Sequence, residues 1–338
     1  MQLITDIKDI DRQAWSELVT CSDTATWFAT PAAVDFYAAQ KDIMQPFAIA
    51  VERSNTTLAG IATGYITREK SALKQYFTRR AIIVGGPMLV NNITDDELKT
   101  LLLGTIKYLK KKSIYIETRN FNSYEKHKKT FQLCGFDYLP HLNFHIDTSS
   151  LDIIEQNLGK SRKRDIRTSF RDGATIVENP TKEQVEQWYK ILQHLYQTKV
   201  HTPLFPLSFF ESLRLHKDGR LLLVAYEGRI IGGTACVMLQ GKCLYEWFVC
   251  GQDGQQKTIF PSSVATYAAI QYSANNGVPR FDMMGAGTPD KEYGVREFKS
   301  KFGGKEVEYG RFIHICHPLL YAVGKVGVKI LKSRKANR

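Results

Sequence analysis

The chain repeats itself, and that repetition limits its fold more than any other feature. Residues 46–147 and 220–316 follow one order of elements although their residues hardly match. In the first stretch "PFAIAVERSNTTLAGIATGYI" reads as strand, turn and strand, and "AIIVGGPMLV" as a strand ending in Gly-Gly-Pro. "TDDELKTLLLGTIKYLKKK" has helical spacing, with Thr94 before three acids as its cap and lysines at its negative end. Strand "SIYIETRN", helix "SYEKHKKTFQLCG" and strand "YLPHLNFHIDT" follow. The second stretch runs in parallel: hairpin "RLLLVAYEGRIIGGTACVML", strand "KCLYEWFVCG", helix "PSSVATYAAIQYSANNG", strand "RFDMMGAG", helix "DKEYGVREFKSKFGG" and strand "EVEYGRFIHIC". Helices precede each copy. The expected fold class is α/β, a mixed sheet with helices on its faces, used twice. The expected division is 1–147, 148–318 and a basic tail, 319–338.

At 338 residues the chain exceeds the ~100–200 of one typical domain. Hydrophobic residues at 43% and charged ones at 24% suit a soluble protein, and no apolar run nears the ~18 residues of a membrane span. "MQLITDIKDIDRQAW" lacks the basic-then-apolar pattern of an export signal, so a cytoplasmic protein is expected. The cysteines form no C-x-x-C pair and read as reduced core thiols. The net charge of +12 is uneven. Leu319 to Arg338 carries six Lys or Arg and no acid, and "KSRKRDIRTSFR" holds six basic residues against Asp165. Both suit polyanions such as phosphates, tRNA or an anionic membrane surface. The tail puts Leu319, Leu320, Val323, Val326 and Ile330 on one helical face and Lys325, Lys329 and Lys332 on another, the pattern of an interfacial helix.

Nucleophile elbow, P-loop and H-E-x-x-H signatures are missing from the sequence, and the histidines of "HICH" alternate faces of a strand, so no metal is expected. What remains is "VREFKSKFGGKEV". Phe298 and Phe302, four apart, bury one helix face, and Gly303 stops the helix. The matching helix of the first copy keeps a phenylalanine and a glycine, Phe131 and Gly135, but has Gln132 where the second has Lys299. Lys299 is therefore the position left for chemistry. Asp282, in "RFDMMGAG", and Glu246, in "YEWF", are carboxylates inside strands, where burial raises a pKa toward base chemistry. Glu117 occupies the strand of the first copy analogous to that of Asp282, so an architectural acid is the alternative reading. Arg164 and Arg167 share a helix face that can grip a diphosphate. Tyr245, Trp247, Tyr267 and Tyr293 are placed to line a site or to fill a core.

The basic helix "SRKRDIRTSFRDGATI", the hairpin "LVAYEGRIIGGTACVM", the helix "PSSVATYAAIQYSANNGVPRFDMMG" and "YGVREFKSKFGG" together resemble the FemAB-like and BioF2-like branch of the GNAT acyltransferase superfamily, over most of 148–312. The resemblance implies tandem GNAT-like domains and transfer of an acyl group from an activated carrier to a primary amine. The carrier is aminoacyl-tRNA in FemAB enzymes, whose acceptor is the peptide stem of a cell-wall precursor, and acyl-CoA in ordinary GNAT enzymes; no tightly bound cofactor is implied. It sets Phe298 and Lys299 beside the transferring carbonyl, with the lysine stabilising developing negative charge. Asp282 is placed to accept a proton from the amine or to orient it. A lipid-linked peptidoglycan-type precursor would place the protein at the inner face of the membrane. Two departures stand out. "GQDGQQKTIFPSS" lacks the second glycine of the GNAT pyrophosphate loop, and no long coiled-coil insertion is visible. The alternatives are an acyl-CoA-dependent enzyme acting on an amino-sugar, polysaccharide or lipid, and a non-catalytic module that binds tRNA or a glycan.

Overall fold

The repeated order of elements folds as two mixed sheets, each with its own helices, in a computed structural model that describes residues 1–325. The chain forms two units, Met1–His141 with the segment from Glu308 onward, and Leu142–Val307. The first unit holds β1 (Gln2–Ile4), α1 (Arg12–Cys21), α2 (Pro31–Ala39), β2 (Met44–Glu52), β3 (Leu58–Thr67), α3 (Ala72–Thr78), β4 (Ala81–Gly85), β5 (Met88–Leu89), α4 (Asp95–Leu109), β6 (Tyr115–Asn120), α5 (Lys128–Leu133) and β7 (Asp137–Leu139). Then come β8 (Leu142–Asp147), α6 (Leu151–Asn157), α7 (Lys160–Arg171), β9 (Thr175–Val177), α8 (Lys182–Leu195), α9 (Leu207–Leu215), β10 (Gly219–Tyr226), β11 (Arg229–Leu239) and β12 (Cys243–Gly251). The rest are α10 (Pro261–Asn275), β13 (Arg280–Asp282), α11 (Gly294–Ser300), β14 (Lys305–Glu308) and β15 (Arg311–Ile315).

Among the described residues the first sheet runs β1-β2-β3-β4-β6-β15-β7 with β5 on β3, and the second runs β14-β8-β13-β12-β11-β10-β9. The expected boundary at 147/148 is therefore corrected. β8 closes the second sheet, pairing Ile146 with Phe281 and His145 with Asp282, while β15 closes the first, pairing Phe312 with Thr118 and Tyr138. Each copy ends in a strand that belongs to the other copy's sheet. Apolar alternation marks both segments as strands, but alternation says nothing about which edge a strand joins.

Local chemistry explains the helices that carry the cores. At α4 the Thr94 hydroxyl accepts from the Glu97 N–H while the Glu97 carboxylate accepts from the Thr94 N–H, the reciprocal cap read from the sequence. Leu98, Leu101 and Leu102 of α4 pack into the first core with Phe131 and Phe312, whose rings stack at 4.0 Å. In α10, Pro261 begins the helix and small residues line it; Ala265, Ala268 and Ala269 are all buried. Gly251 shows how closely strand and helix meet, since a Cβ there would lie 2.6 Å from the Ser262 nitrogen. At the end of α11, Gly303 has φ +76° and a Cβ would lie 2.0 Å from the Asn157 carbonyl oxygen, so the stop read from the sequence is also a packing requirement. The helical turn that opens the tail covers 318–325; the rest of the expected amphipathic tail, with Val326, Lys329, Ile330 and Lys332, lies outside the described residues.

Candidate active site

Two parallel strand pairs occupy equivalent places in the two copies, and they differ. In the first unit β4 and β6 stay paired from Ala81 and Ile116 to Gly85 and Asn120. In the second unit β12 and β13 pair only at Leu244 with Phe281 and Tyr245 with Asp282. At that point β12 bulges. Cys236 faces Glu246 and Ala235 faces Phe248, so Trp247 is the extra residue. A bulge bends its strand and ends pairing, which re-aims the side chains beside it. The two strands part there, at Glu246 on one side and Met283-Met284-Gly285 on the other.

Lys299 of α11 reaches into this split. It is 6% exposed, and its Nζ donates to the carbonyl oxygens of Met283, Met284 (2.8 Å) and Gly285 (3.0 Å). An ammonium has three protons, so this cage uses all of them. Burial lowers the Lys299 pKa to about 8, against the attraction of Glu246 and Asp282. Met284 has φ +54°, unusual for a side chain of its size, and its N–H is held at 2.7 Å by Asp282 Oδ1. The same oxygen accepts from Asn143 Nδ2 at 2.8 Å, and Asp282 Oδ2 lies 3.1 Å from His145 Nε2. Fully buried Asp282 thus shapes the carbonyl cage rather than facing an open space.

Glu246 has the opposite character. It is 3% exposed; Oε1 accepts from the Thr266 hydroxyl at 2.8 Å and approaches that of Thr234 at 3.4 Å, while Oε2 has no hydrogen-bond partner. Burial raises its pKa to about 7, with the charge of Lys299 and the two hydroxyls opposing the rise. A carboxyl with one free oxygen and a pKa near neutrality is suited to take and return a proton. In the first unit the acid on the equivalent of β13 is spent on ion pairs. Burial pushes Glu117 up, but Arg119, Arg311 and Arg80 outweigh it and hold it at about 2.

The other expected site residues are spread more widely. Phe298 packs edge-on against Phe302 at 5.2 Å, and the Arg162 guanidinium lies over both rings, 4.5 and 4.7 Å from their centres. Arg162, which the sequence did not single out from its basic run, is the buried member: it donates to the Ser263 hydroxyl and to the Phe298 carbonyl at 3.3 Å, fixing α11 to α10. Arg164 and Arg167 instead are exposed and pair with Asp165 and Glu155. Tyr245 is a fully buried core residue, and Trp247 packs with Phe205, Phe209 and Phe248. Tyr267 is half-buried on α10, and Tyr293 is 48% exposed just ahead of α11. At the start of α10, Asp253 accepts from the Ser262 N–H at 3.2 Å and from its hydroxyl. No group of metal-ligating side chains occurs among the described residues.

The family comparison falls on this same region. Residues 227–328, which carry Glu246, Asp282 and Lys299, match the FemAB family. That part of the chain is FemAB-like. The fold of the chain is that of FemX, at 13% identity and TM-score 0.72 over 96% of this chain and 99% of that one. A tandem GNAT protein from the clavulanic acid biosynthesis pathway follows at 10% identity and TM-score 0.59, over 93% and 98% of the two chains. L-PGS from Bacillus licheniformis has 10% identity and TM-score 0.55, over 97% and 98%. At these identities the likeness is one of fold, and it bears out the tandem GNAT-like architecture. No curated protein sequence matches the chain.

Proposed function

We propose that this FemAB-like protein transfers an aminoacyl group from a charged tRNA to a primary amine of a peptidoglycan-type, lipid-linked precursor. The observation that carries the reading is Glu246: a buried carboxyl with an unpartnered oxygen, at the point where β12 and β13 part, beside the buried charge of Lys299. In the proposed reaction Glu246 takes a proton from the attacking amine as its nitrogen bonds the ester carbonyl carbon. The tetrahedral oxyanion then collapses, the carbon–oxygen bond to the ribose breaks, and the proton leaves with the ribose oxygen. Lys299 acts through its field and through the loop it holds, because its three protons are already donated to carbonyls.

The choice of donor rests on α10. Helix N-termini attract phosphate through free amides and dipole. Here the chain's own Asp253 carboxylate sits on Ser262 and opposes an acyl-CoA diphosphate at that place, in keeping with the missing glycine of the preceding loop. That favours a tRNA ester over the acyl-CoA alternative. A non-catalytic tRNA- or glycan-binding module gives no reason for burying Glu246 and Lys299 together.

Replacing Glu246 tests the reading. The wild-type rate should rise with pH through about 7 as Glu246 loses its proton. Glu246→Gln should lower kcat by ~10²–10⁴-fold and remove that rising limb. A variant with normal kcat and an unchanged pH profile would remove Glu246 from the mechanism.

A further inference from the structure

Surface helices normally turn an apolar stripe toward the core. Helix α3 does not. It buries none of its residues, and Leu73, Tyr76 and Phe77 are 71%, 49% and 38% exposed. These positions are spaced i, i+3 and i+4, so they lie on one face, and the Tyr76 and Phe77 rings meet edge-on at 5.1 Å. The helical segment 318–325, in the same unit, does the same: Leu319 and Val323, four apart, are 84% and 56% exposed. The two segments are neighbours, since a Cβ on Gly324 would lie 3.9 Å from the Phe77 carbonyl oxygen.

Cations flank this apolar surface along the chain. Residues 68–80 contain Arg68, Lys70, Lys74 and Arg79 against a single acid, Glu69, besides Arg80, which turns to Tyr115 and Glu117. Arg79 lies over the Tyr76 ring at 4.8 Å, and Lys325 over that of Tyr321 at 5.0 Å. The chain continues beyond residue 325 with five more Lys or Arg and no acid. We infer that α3 and the segment 318–325 form a docking surface for an anionic phospholipid bilayer. Exposed aliphatic and aromatic side chains with basic neighbours fit the boundary between headgroups and acyl chains. A nucleic acid would satisfy the cations and stack on Tyr76 and Phe77, but it would leave Leu73, Leu319 and Val323, the most exposed side chains of the patch, in water. The inference extends the membrane side of the proposed function, and vesicle binding reads it without any turnover.

Cosedimentation of the full-length protein with phosphatidylcholine vesicles, with and without phosphatidylglycerol, tests this. The wild-type protein should bind only the anionic vesicles, less as salt rises. The triple variant Leu73→Ser/Tyr76→Ser/Phe77→Ser, at exposed positions and checked by circular dichroism, should bind about tenfold more weakly or worse. It should keep its transfer rate on a soluble acceptor, which separates this outcome from failure of the catalytic reading. As a measurement independent of the triple variant, Phe77→Trp emission should shift to the blue with anionic vesicles. Absence of wild-type binding, wild-type-like binding by the triple variant, an unshifted Phe77→Trp spectrum, or loss of tRNA binding with vesicle binding intact would each overturn the proposal.

Discussion

Lys299 and Glu246 are both ionisable groups taken out of water, and what each touches separates their roles. Lys299 has its protons fully engaged by Met283, Met284 and Gly285, so its removal would leave the buried Met283 carbonyl and two part-buried ones without their donor and the loop unheld. Lys299→Met should therefore lower kcat by ~10²–10³-fold, with Lys299→Arg a poor rescue because a planar guanidinium does not fit a cage built around a point charge. Single-turnover rates measure this; full activity in Lys299→Met would dispose of the role. Lys299 was legible in the sequence because the first copy has Gln132 in its place. The carboxylates were harder. Asp282 and Glu246 each read as an acid within a strand, and only tertiary partners distinguish them: Asp282 Oδ1 receives Asn143 and a backbone N–H and its Oδ2 faces His145 at 3.1 Å, while Glu246 receives hydroxyls on Oε1 alone and nothing lies within hydrogen-bond reach of its Oε2. Helical spacing likewise could pair Arg164 with Arg167, but it could not tell that Arg162 is the one buried against Phe298 and Phe302.

The strand pairs account for the difference between the copies. β4 and β6 stay zipped, and the acid beside them, Glu117, is 5% exposed and held by Arg119 at 3.2 Å and Arg311 at 2.6 Å. β12 and β13 are opened by the bulge at Trp247, a shift in register that leaves no mark in composition or periodicity. Glu117 should behave as a structural ion pair. Its folded pKa of about 2 lies below the usual 4.5, so its contribution is complete above pH ~4.5 and is lost as pH falls toward 2. Glu117→Gln should lower the unfolding midpoint by several degrees at pH 7, a loss on the order of 3 kcal/mol, and the gap from wild type should narrow at pH 3. Thermal unfolding at the two pH values checks this, and an equal gap at both would contradict it.

At the scale of the whole chain, the sequence carried the duplication, the order of elements and the helix caps, because those depend on local spacing. It did not carry the exchange of β8 and β15 between sheets, which rests on long-range pairing of edges that look alike residue by residue. The exchange makes the first unit necessary to the second in covalent terms: the chain leaves the first unit to build the site and returns to it in β15. The aminoacyl transfer proposed for that site rests on a FemAB match over residues 227–328, a tandem GNAT-like fold and a proton acceptor poised near neutrality. The most direct test incubates the purified protein with an amine-bearing cell-wall precursor and either radiolabelled aminoacyl-tRNA or acetyl-CoA, and measures label in the amide product. The account predicts transfer from the charged tRNA and none from acetyl-CoA; transfer from acetyl-CoA alone would contradict it.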